Sequence, residues 1–449
     1  MLSAERLLCF KKNTSSAEVW SQKRHISRPC KKIFVKYESL DKWESYLPSF
    51  VIRNVTPIQK KRYERFLKVL ELLEAGASRR RISREMDIER KLIYDWLNRG
   101  EVPVVANLYN LISEFKTEIP PQKMLVPFGH PPSSHTFVNK VWMFPRNVRS
   151  FDDVKEILEQ LLQRTPSEED LNDFGFLLGY YLSDGSYSNH TGEGRTRAHN
   201  FFAVTSNTAG NMELLVHVQS ILAKLGFSCK IAVSCRNELL LYTNFSFFFD
   251  YLRYVIIGTP DGVQKTYHTP ENLGWILETP KPFQNHVLKG LVEGDGGAKT
   301  AINILGISVA PMFDFAETLC NNLGLKTWHD DDKIYIRFNY KNLEQLIGLV
   351  FLDGITTDKK QELKNWCEKL VKNSLATAKN GRKLPPSALK KIILDYSKMR
   401  GHKDRVSYYE IAKNNGYHLV TVLNILKGRT RRKDTEKLCE RFKLQLPWQ

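Results

Sequence analysis

Two aspartates, each followed by a glycine, end two similar apolar segments of this 449-residue chain. The segments are residues 177–185, with the sequence LLGYYLSDG, and residues 288–296, with the sequence LKGLVEGDG. Each segment predicts a helix with its aspartate, Asp184 or Asp295, in the last turn. Carboxylates at the negative ends of two neighbouring helix dipoles repel each other. If the two ends meet, they predict a site for a divalent cation such as Mg²⁺, which binds through few carboxylates and many waters.

Small residues give each predicted helix a face that a second helix can approach closely. They are Gly179 and Ser183 in the first helix and Gly290 and Gly294 in the second. Residues four positions apart share a helix face, so the two helices can pack backbone to backbone. We expect Gly185 and Gly296 to end the helices with positive φ. The pattern predicts that Asp184 and Asp295 lie side by side.

The paired motifs resemble those of the LAGLIDADG homing endonucleases in their single-chain, two-motif form. The matching positions are Gly179, Asp184 and Gly185 in the first copy and Gly290, Asp295 and Gly296 in the second. The first copy departs from the family pattern at the sixth position, where Leu182 stands, whereas the second copy has Glu293 there. The resemblance covers residues 166–372. It implies an α+β fold of two pseudo-symmetric αββαββα repeats that form a DNA-binding saddle.

The resemblance also implies an activity and the residues that carry it. It implies a site-specific DNA endonuclease, acting as a monomer on a long, asymmetric duplex target, with Mg²⁺ as cofactor, Mn²⁺ as a substitute and a role in intron homing. The catalytic Asp184 and Asp295 would bind the metal together with the backbone of Gly185 and Gly296. Family members also place a basic residue from each half near the scissile phosphates. The candidates are Lys265 for the first copy, Lys360 or its neighbour Lys359 for the second, and Lys299 behind the second aspartate.

The composition indicates a polyanionic partner. The formal net charge is +18 at pH 7, which favours nucleic acid first and an acidic membrane surface second. No apolar run reaches the roughly 20 residues that a spanning helix needs, so we expect no membrane insertion. The seven cysteines include no C-x-x-C pair, which favours reduced thiols over a zinc site. We expect a cytoplasmic, nucleoid-associated protein, with an organellar matrix as the alternative.

Patterning divides the chain into five predicted segments. They are a basic N-terminal extension (1–55), a helix-turn-helix module (56–118), a proline-rich linker (119–165), the two-repeat endonuclease core (166–372) and a C-terminal helix-turn-helix module (380–449). The side chains beside the third helix of each module are Arg90, Lys91, Tyr94 and Arg99 in the first and Arg429, Arg431 and Arg432 in the second. Because cations beside a reading helix suit phosphate contacts, we expect both modules to bind DNA.

An internal repeat follows the two motifs. The predicted strands and helices lie over 201–205, 211–225, 227–233, 238–243 and 245–255 after the first motif, and over 301–308, 311–323, 325–329, 333–338 and 342–351 after the second. Two-stranded ribbons fit the major groove of DNA. The polar residues in or beside these strands, which we expect to contact bases or phosphates, are Arg195, Arg197, Asn200, Lys230, Arg236, Lys326, His329 and Arg337.

Two other functions fit the sequence. One is a non-catalytic DNA-binding transcriptional regulator that retains the endonuclease fold, a role that two helix-turn-helix modules suit. The other is an intron RNA-splicing maturase, against which the predicted DNA-binding modules argue. The presence of both Asp184 and Asp295 favours retained cleavage over either alternative.

Overall fold

The computed structural model describes most of the chain from residue 37 onward. The residues outside the description are 1–36, 41, 43–46, 54, 56, 114, 116–117, 129–139, 190–199, 207–210, 234–238, 245–246, 259–269, 300–303, 310–311, 331–332, 338–342, 380–383, 401–406 and 449. The described residues form two compact units, one drawn from Met1–Val148, Asn189–Phe201 and Asn244–Asp261, the other from Arg149–Ser188, Phe202–Thr243 and Gly262–Gln449. No helix in the described part is long and apolar enough to cross a membrane.

The first unit begins with a group of helices, which we call the N-terminal module. Its helices are α1 (Ser49–Arg53), α2 (Pro57–Glu74), α3 (Arg79–Glu85), α4 (Arg90–Tyr94), which continues as a π-helical turn (Asp95–Arg99), and α5 (Val104–Ser113). The Ser78 side chain caps α3 by accepting a hydrogen bond from the Arg81 amide. The core includes Phe66 and Trp96, whose rings meet edge to face at 5.4 Å. The predicted helices over 58–75, 79–86 and 89–99 are confirmed to within one residue at each end.

The segment predicted as a proline-rich linker contains regular structure instead. Strands β1 (Lys123–Phe128) and β2 (Lys140–Pro145) pair in antiparallel fashion, and helix α6 (Phe151–Leu162) begins with a capping box between Ser150 and Asp153. Proline is compatible with a two-stranded sheet, because each strand has an outer edge that needs no N–H donor. Pro127 and Pro145 lie within the two strands themselves. The proline content of this segment therefore did not reveal the strands.

The next stretch follows the first motif. Its elements are α7 (Glu168–Asp184), β3 (Gly185–Asn189), β4 (Asn200–Ser206), α8 (Met212–Lys224), β5 (Cys229–Val233), β6 (Leu239–Asn244) and α9 (Phe247–Tyr251), which continues as a π-helical turn (Leu252–Ile256). Helix α9 packs on β1 in the first unit, where the Tyr251 hydroxyl donates to the Pro145 carbonyl at 2.8 Å. The last predicted helix of the first copy thus belongs to a different compact unit from α7.

A similar order of elements follows the second motif. They are α10 (Pro270–Leu277), α11 (Lys281–Asp295), β7 (Gly296–Lys299), β8 (Ile304–Ser308), α12 (Phe313–Asn322), β9 (Thr327–His329), β10 (Lys333–Arg337), α13 (Leu343–Val350) and α14 (Asp358–Lys379). The two four-stranded sheets have the strand orders β3-β4-β6-β5 and β7-β8-β10-β9. The chain is therefore a mixed protein of helices and small sheets, which agrees with the predicted α+β class at that level.

The C-terminal module is helical. Its helices are α15 (Pro386–Arg400), α16 (Tyr408–Asn415), α17 (Leu419–Leu426) and α18 (Arg432–Arg441). Ser407 caps α16 through the Glu410 amide, as predicted, and Gly416 ends that helix with φ of 63°. Ile392, Ile411 and Val422 from three helices meet in one buried core. Helix α18, which the sequence analysis did not predict, adds Cys439 to this core.

Candidate metal centre

The two motif helices, α7 and α11, begin with strong start signals and are buried along most of their length. The Ser167 side chain and the Asp170 carboxylate form a capping box at the start of α7. Asp170 also receives two hydrogen bonds from Arg164, at 2.6 and 2.9 Å, and this contact holds its pKa well below the usual range. Helix α11 begins after Pro280, with a second proline in its first turn.

Small residues let α7 and α11 touch backbone to backbone. A Cβ added at Gly179 would overlap the Val287 carbonyl, and one added at Gly290 would overlap the Phe176 carbonyl. Further along, the Ser183 hydroxyl lies 3.4 Å from the Gly290 carbonyl of the facing helix. The predicted close contact between the two small-residue faces is therefore confirmed.

The same contact brings the two helix ends together. A Cβ at Gly294 would lie 3.3 Å from the Asp184 carboxyl carbon and would overlap the Ser183 hydroxyl. Asp184 is thus packed against the last turn of α11, the turn that ends in Asp295. Asp295 also acts on the pKa of Asp184, so the two carboxylates lie near each other, as the motif spacing predicts. We call the region around Asp184 and Asp295 the pocket.

The glycines after the two aspartates are required for a reason other than the predicted one. Gly185 has φ of −66° and Gly296 has φ of −73°, so neither adopts the positive φ that we expected. A Cβ at Gly185 would overlap the Tyr181 carbonyl, and a Cβ at Gly296 would overlap the Val292 carbonyl. Each glycine allows the chain to pass directly from the helix into a strand, β3 or β7, over the preceding turn. Close approach, not left-handed backbone, explains the Asp-Gly pairs.

Burial and charge make the aspartate pocket electrostatically unusual. The pKa of Asp184 is raised to about 6, chiefly by burial; Lys359 acts to lower it, and the neighbouring Asp295 contributes a smaller rise. The hydroxyl of Tyr180 also has a raised pKa, because it is buried near Asp184 and Glu293. The region around the two half-buried aspartates therefore perturbs the acids and the phenol within it.

Lys359, near the start of α14, is the cation of this pocket. Its ammonium group donates to the carbonyls of Val292 at 3.4 Å, Glu293 at 2.7 Å and Gly294. These carbonyls belong to the last turn of α11, where a positive charge is favourable. Burial lowers the pKa of Lys359, while Asp184, Glu293 and Asp295 oppose that effect. The ammonium group thus donates to the last turn of α11 and interacts electrostatically with both aspartates.

Lys360, the lysine chosen from the sequence as catalytic, has a different environment. Its ammonium group donates to the carbonyls of Leu352 and, at 2.9 Å, Ile355. Only 7% of the residue is exposed. Successive helical residues point about 100° apart, so only one of two adjacent lysines can face the aspartates. Of the two adjacent lysines, Lys359 is the one whose pKa is influenced by Asp184 and Asp295. Lys265 lies outside the described residues, as does the side chain of Lys299.

Glu293 is a second buried acid on α11, close to the pocket. It is 3% exposed and lies beside Thr357 and the backbone of Leu352. Burial raises the pKa of Glu293 to about 7, although Thr357 and the two lysines Lys359 and Lys360 act in the opposite direction. At the corresponding place on α7 stands Leu182, which is 2% exposed. The two motif helices therefore bury opposite kinds of side chain at this position.

The residues of the pocket suit a hard divalent cation. The described residues contain no cluster of three or more histidine, cysteine or acidic side chains of the kind that would enclose a metal by themselves. Mg²⁺ does not need one, since it keeps several waters and binds through one or two carboxylates together with phosphate oxygens. Asp184 and Asp295 supply two carboxylates, partly desolvated and mutually repelling. That donor set fits a metal shared with a phosphate better than an all-protein cage.

Some of the residues predicted to contact DNA lie on the surfaces of the two sheets. Lys230 on β5, Lys326 before β9 and Arg337 at the end of β10 are all exposed. The Arg337 guanidinium stacks over the ring of Trp328 at 5.2 Å. Arg195, Arg197 and Arg236 lie outside the described residues, as does the side chain of Asn200, and His329 is exposed and stacks on Phe313 at 5.6 Å.

The predicted DNA contacts in the helical modules differ in their surroundings. Arg90 and Lys91 are exposed at the start of α4, and Arg99 lies over the Tyr94 ring at 5.9 Å while pairing with Asp95 at 3.3 Å.

In the C-terminal module, Arg429 is exposed and Arg432 pairs with Glu436 at 3.1 Å. Arg431 is half-buried, donates to the Leu384 carbonyl at 3.3 Å and pairs with Asp434 at 2.9 Å. Arg431 is therefore engaged by contacts within the C-terminal module, unlike the exposed Arg429, and its phosphate contact stays a prediction.

Comparison with known proteins leaves the family open. No family model matches the chain, and no curated protein matches it. Among solved structures, I-DmoI in complex with DNA and Mn is 17% identical, with a TM-score of 0.31, over 40% of this chain and 97% of that chain. The N-terminal LAGLIDADG domain of DUF199/WhiA is 12% identical, with a TM-score of 0.28, over 47% of this chain and 98% of that chain. The DNA-bound homing endonuclease I-WcaI is 14% identical, with a TM-score of 0.29, over 44% of this chain and 90% of that chain. Likenesses of this size decide neither fold nor function.

Proposed function

We propose that this chain is a Mg²⁺-dependent, site-specific DNA endonuclease of the LAGLIDADG kind. The observation that carries the proposal is the meeting of Asp184 and Asp295 at the ends of two duplicated helices that touch backbone to backbone. The repeated element order after each motif and the shared strand order of the two sheets support two related halves around this pocket. The net charge of +18 supports a polyanionic substrate.

The proposed chemistry is hydrolysis of phosphodiester bonds. Asp184 and Asp295 would hold the divalent cation, with the adjoining backbone carbonyls of Gly185 and Gly296 as further ligands. Mg²⁺ bound there would supply charge neutralisation and an activated water. Because carboxylates bind metals when deprotonated, the raised pKa of Asp184 would couple cation binding to proton release around and below pH 6.

Lys359 is the basic residue that we propose for the reaction. Its ammonium group is held by three carbonyls of α11 and interacts with both aspartates. From that position it would lessen the repulsion between the carboxylates and stabilise charge that develops on the phosphate. The fixed position of this ammonium group matters, because a preorganised charge in a desolvated site stabilises developing charge more than the charge of a mobile surface lysine does.

The two halves are proposed to act on one asymmetric target. Their sequences differ, so a single chain can contact two different half-sites, as the exposed Lys230 on one sheet and Lys326 and Arg337 on the other suggest. Duplex binding by such cations is steeply salt-dependent. Monomeric action follows from having both halves in one chain and is part of the proposal.

Selection of cleaved sites from a random or genomic DNA library, in Mg²⁺ and separately in Mn²⁺, tests the proposal. The full chain should enrich one long sequence with cuts at fixed positions. Replacing Asp184→Asn or Asp295→Asn should lower cleavage of that sequence by at least about 1,000-fold, because each change removes a metal-binding carboxylate worth several kcal/mol.

A matched control and a contradicting result complete this test. Asp152→Asn changes an exposed acid of α6, whose partner is the exposed Lys155 at 2.9 Å, and should leave cleavage within about twofold of wild type. Cleavage that survives both pocket substitutions, or the absence of any cut product with either metal, contradicts the proposed activity.

One observation favours a second candidate, a non-catalytic DNA-binding regulator. Lys359 already places a positive charge against Asp184 and Asp295, and an ammonium group can substitute for a metal in neutralising two acids. On this alternative, duplex binding is unaffected by EDTA and no strand is cut. Lys359→Met would then raise the affinity of the pocket for Mn²⁺, measured by electron paramagnetic resonance, without any cleavage in wild type or variant.

A further inference from the structure

The N-terminal and C-terminal modules present chemically different surfaces. Each contains two short helices joined by a tight turn, α3–α4 in one and α16–α17 in the other. Such a pair is the minimal arrangement with which proteins place a helix against duplex DNA. The side chains on the two surfaces differ in charge, and that difference carries the inference.

The N-terminal module exposes a dense group of cations. Helix α3 has the sequence RRRISRE, and its Arg80 and Arg84 are exposed four residues apart on one face. Arg90 and Lys91 are exposed at the start of α4. None of the ion pairs found among the described residues involves these four cations, whereas the neighbouring Arg81 pairs with Glu85 at 2.5 Å.

These like charges have a cost that a polyanion would offset. Two cations at i and i+4 on a helix destabilise it slightly, so the arrangement does not serve the isolated fold. Phosphates of a duplex would neutralise all four side chains and release bound counterions. Contacts of this type position a protein on DNA without reading its sequence.

The C-terminal module exposes a neutral face at the equivalent place. Helix α17 has the sequence LVTVLNIL, without a charged residue. Val422, Ile425 and Leu426 are buried on one side. On the other side Val420 is 65% exposed and Thr421 is also exposed.

The side chains on the outer face of α17 match base edges. Asn424 lies one turn after Val420, so the two share a helix face. Valine and threonine methyl groups pack on the thymine methyl in the major groove, and asparagine pairs with adenine. An exposed valine in a chain of this charge contributes nothing to phosphate binding. The neutral face therefore suits recognition of base edges and not of the backbone.

Exposed cations follow this neutral face in the chain. Lys427 and Arg429 follow α17, and Arg432 and Lys433 begin α18, all of them exposed. A neutral helix face followed by basic residues suits a surface that reads bases while neighbouring phosphates hold it in register. The N-terminal module has the reverse layout, with cations on the face itself.

We infer that the two modules divide the work on duplex DNA. The N-terminal module holds phosphates regardless of sequence through Arg80, Arg84, Arg90 and Lys91. The C-terminal module reads A·T base pairs in the major groove through Val420, Thr421 and Asn424. The inference rests on the proposed function only in its partner, duplex DNA, and it holds whether or not the chain cleaves that DNA.

The test uses the full-length Asp184→Asn/Asp295→Asn chain, which keeps bound DNA intact. Bound duplexes are selected from a random library, and affinities for the selected duplex and for a scrambled one are measured from 50 to 300 mM salt. Arg80→Gln/Arg84→Gln should weaken both affinities by the same factor and reduce the slope of log K against log salt by about 2, roughly 0.9 per lost phosphate contact. Lys364→Gln/Lys369→Gln, which removes two exposed lysines of α14, is the control for net charge and should change the slope by less than about 0.5.

Val420→Ala/Thr421→Ala should weaken binding to the selected duplex about 10-fold, leave the scrambled duplex unaffected and keep the salt slope unchanged. Selection repeated with this variant should lose A·T preference at one end of the site. The control is Val216→Ala, which truncates a valine 49% exposed on α8, and circular dichroism checks that every variant is folded.

The inference is overturned if Val420→Ala/Thr421→Ala changes the salt slope, if it leaves sequence preference intact, or if the arginine pair controls discrimination between the two duplexes. A wild-type chain that binds the selected duplex yet never cuts it in Mg²⁺ or Mn²⁺ refutes the proposed catalysis and leaves the division of work standing. A chain that binds no duplex refutes both.

Discussion

The ends of α7 and α11 are alike in geometry and unlike in chemistry. Both helices reach the pocket through glycines whose missing Cβ allows backbone contact, and both pass directly from an aspartate into a strand. At the sixth motif position, however, α7 buries Leu182 while α11 buries Glu293. The last carbonyls of α11 are also met by Lys359. The two helix ends share a steric requirement and differ in their electrostatics.

This difference separates two kinds of constraint. Contact between backbones tolerates no added atom, so glycine is needed on both helices. A buried side chain near the pocket can be apolar or charged, provided that a charged one has partners. Thr357, Lys359 and Lys360, from the segment around the start of α14, act to lower the pKa of Glu293, but neither carboxylate oxygen accepts a hydrogen bond, and burial prevails. We therefore expect the requirement for glycine to be shared between the halves, and titration at the sixth motif position to belong to the second half alone.

The largest effect should come from breaking the shared geometry. Gly290→Ala places a methyl group onto the Phe176 carbonyl and the backbone of α7, and it should lower the free energy of unfolding by about 3 kcal/mol, the upper end of the range for overpacking. Chemical denaturation measures the change. Gly348→Ala in α13 is the control, because nothing lies within 4 Å of its added Cβ, and it should stabilise the helix by about 0.5–1 kcal/mol. Equal effects at the two glycines would show that the helix contact is not tight.

The next effect tests whether the two halves differ in titration. The pKa of Glu293 in the folded chain is about 7, above the unfolded value. The folded state therefore binds this proton more tightly, so the contribution of Glu293 to stability is greatest below the unfolded pKa and is lost as pH rises through about 7. Glu293→Gln should remove this loss. The free energy of unfolding of the variant, relative to that of wild type, should therefore rise by about 2 kcal/mol from pH 5 to pH 8.

Denaturation at several pH values in EDTA measures this dependence. Leu182→Met, at the equivalent place on α7, is a control that changes no charge and should leave the pH profile of wild type unchanged. If Glu293→Gln and wild type have parallel profiles over this range, the buried carboxyl does not titrate as the structure indicates.

Adjacent lysines provide a sharper test of which side chain serves the pocket. Lys359→Met should lower cleavage of the selected duplex about 10-fold or more, since it removes the cation beside both aspartates. Lys360→Met should lower stability by about 1–3 kcal/mol, because the carbonyls of Leu352 and Ile355 lose their donor. It should leave the cleavage rate of the folded protein unchanged. The reverse pattern would restore Lys360 as the functional residue.

The smallest effect is expected from a substitution at the start of α7, the end of the helix that lies away from the pocket. Asp170 caps that helix and pairs with Arg164, and these contacts depress its pKa. A depressed pKa adds stability that is present above the unfolded value and is lost as pH falls, which is the opposite sign from Glu293. Asp170→Asn should cost about 1–2 kcal/mol at neutral pH, the range for losing a cap, and the cost should shrink toward acid pH. A cost that is constant down to pH 3 would rule out the ionised contact as its source.

Local signals in the sequence predicted several features correctly. Small residues at four-residue spacing predicted the contact of α7 with α11, and Ser407 and Gly416 predicted the start and end of α16. Each of these depends on residues close together in the chain, where periodicity and capping act directly. The same holds for the helices of the N-terminal module.

Other features depend on contacts that the sequence does not display. The choice between Lys359 and Lys360 is set by the phase of α14 against α11, which follows from tertiary packing. In the sequence, Arg431 cannot be told apart from its exposed neighbours. In the structure, α18 places Asp434 beside it. Gly185 and Gly296 were identified correctly as required glycines, but the reason lies in the carbonyl one turn earlier. Packing decides such points after local propensity has been satisfied.

The most direct test of the paired-aspartate pocket is the position of bound metal. We propose crystals of the full chain with its selected duplex and Mn²⁺, with the ion located by anomalous scattering. The account predicts Mn²⁺ directly bonded to carboxylate oxygens of both Asp184 and Asp295, at roughly the 2.0–2.2 Å expected of a hard divalent cation on oxygen ligands, and no such peak in Asp184→Asn/Asp295→Asn. Manganese bound elsewhere on the protein–DNA complex, with the two carboxylates engaged only by Lys359, would contradict it.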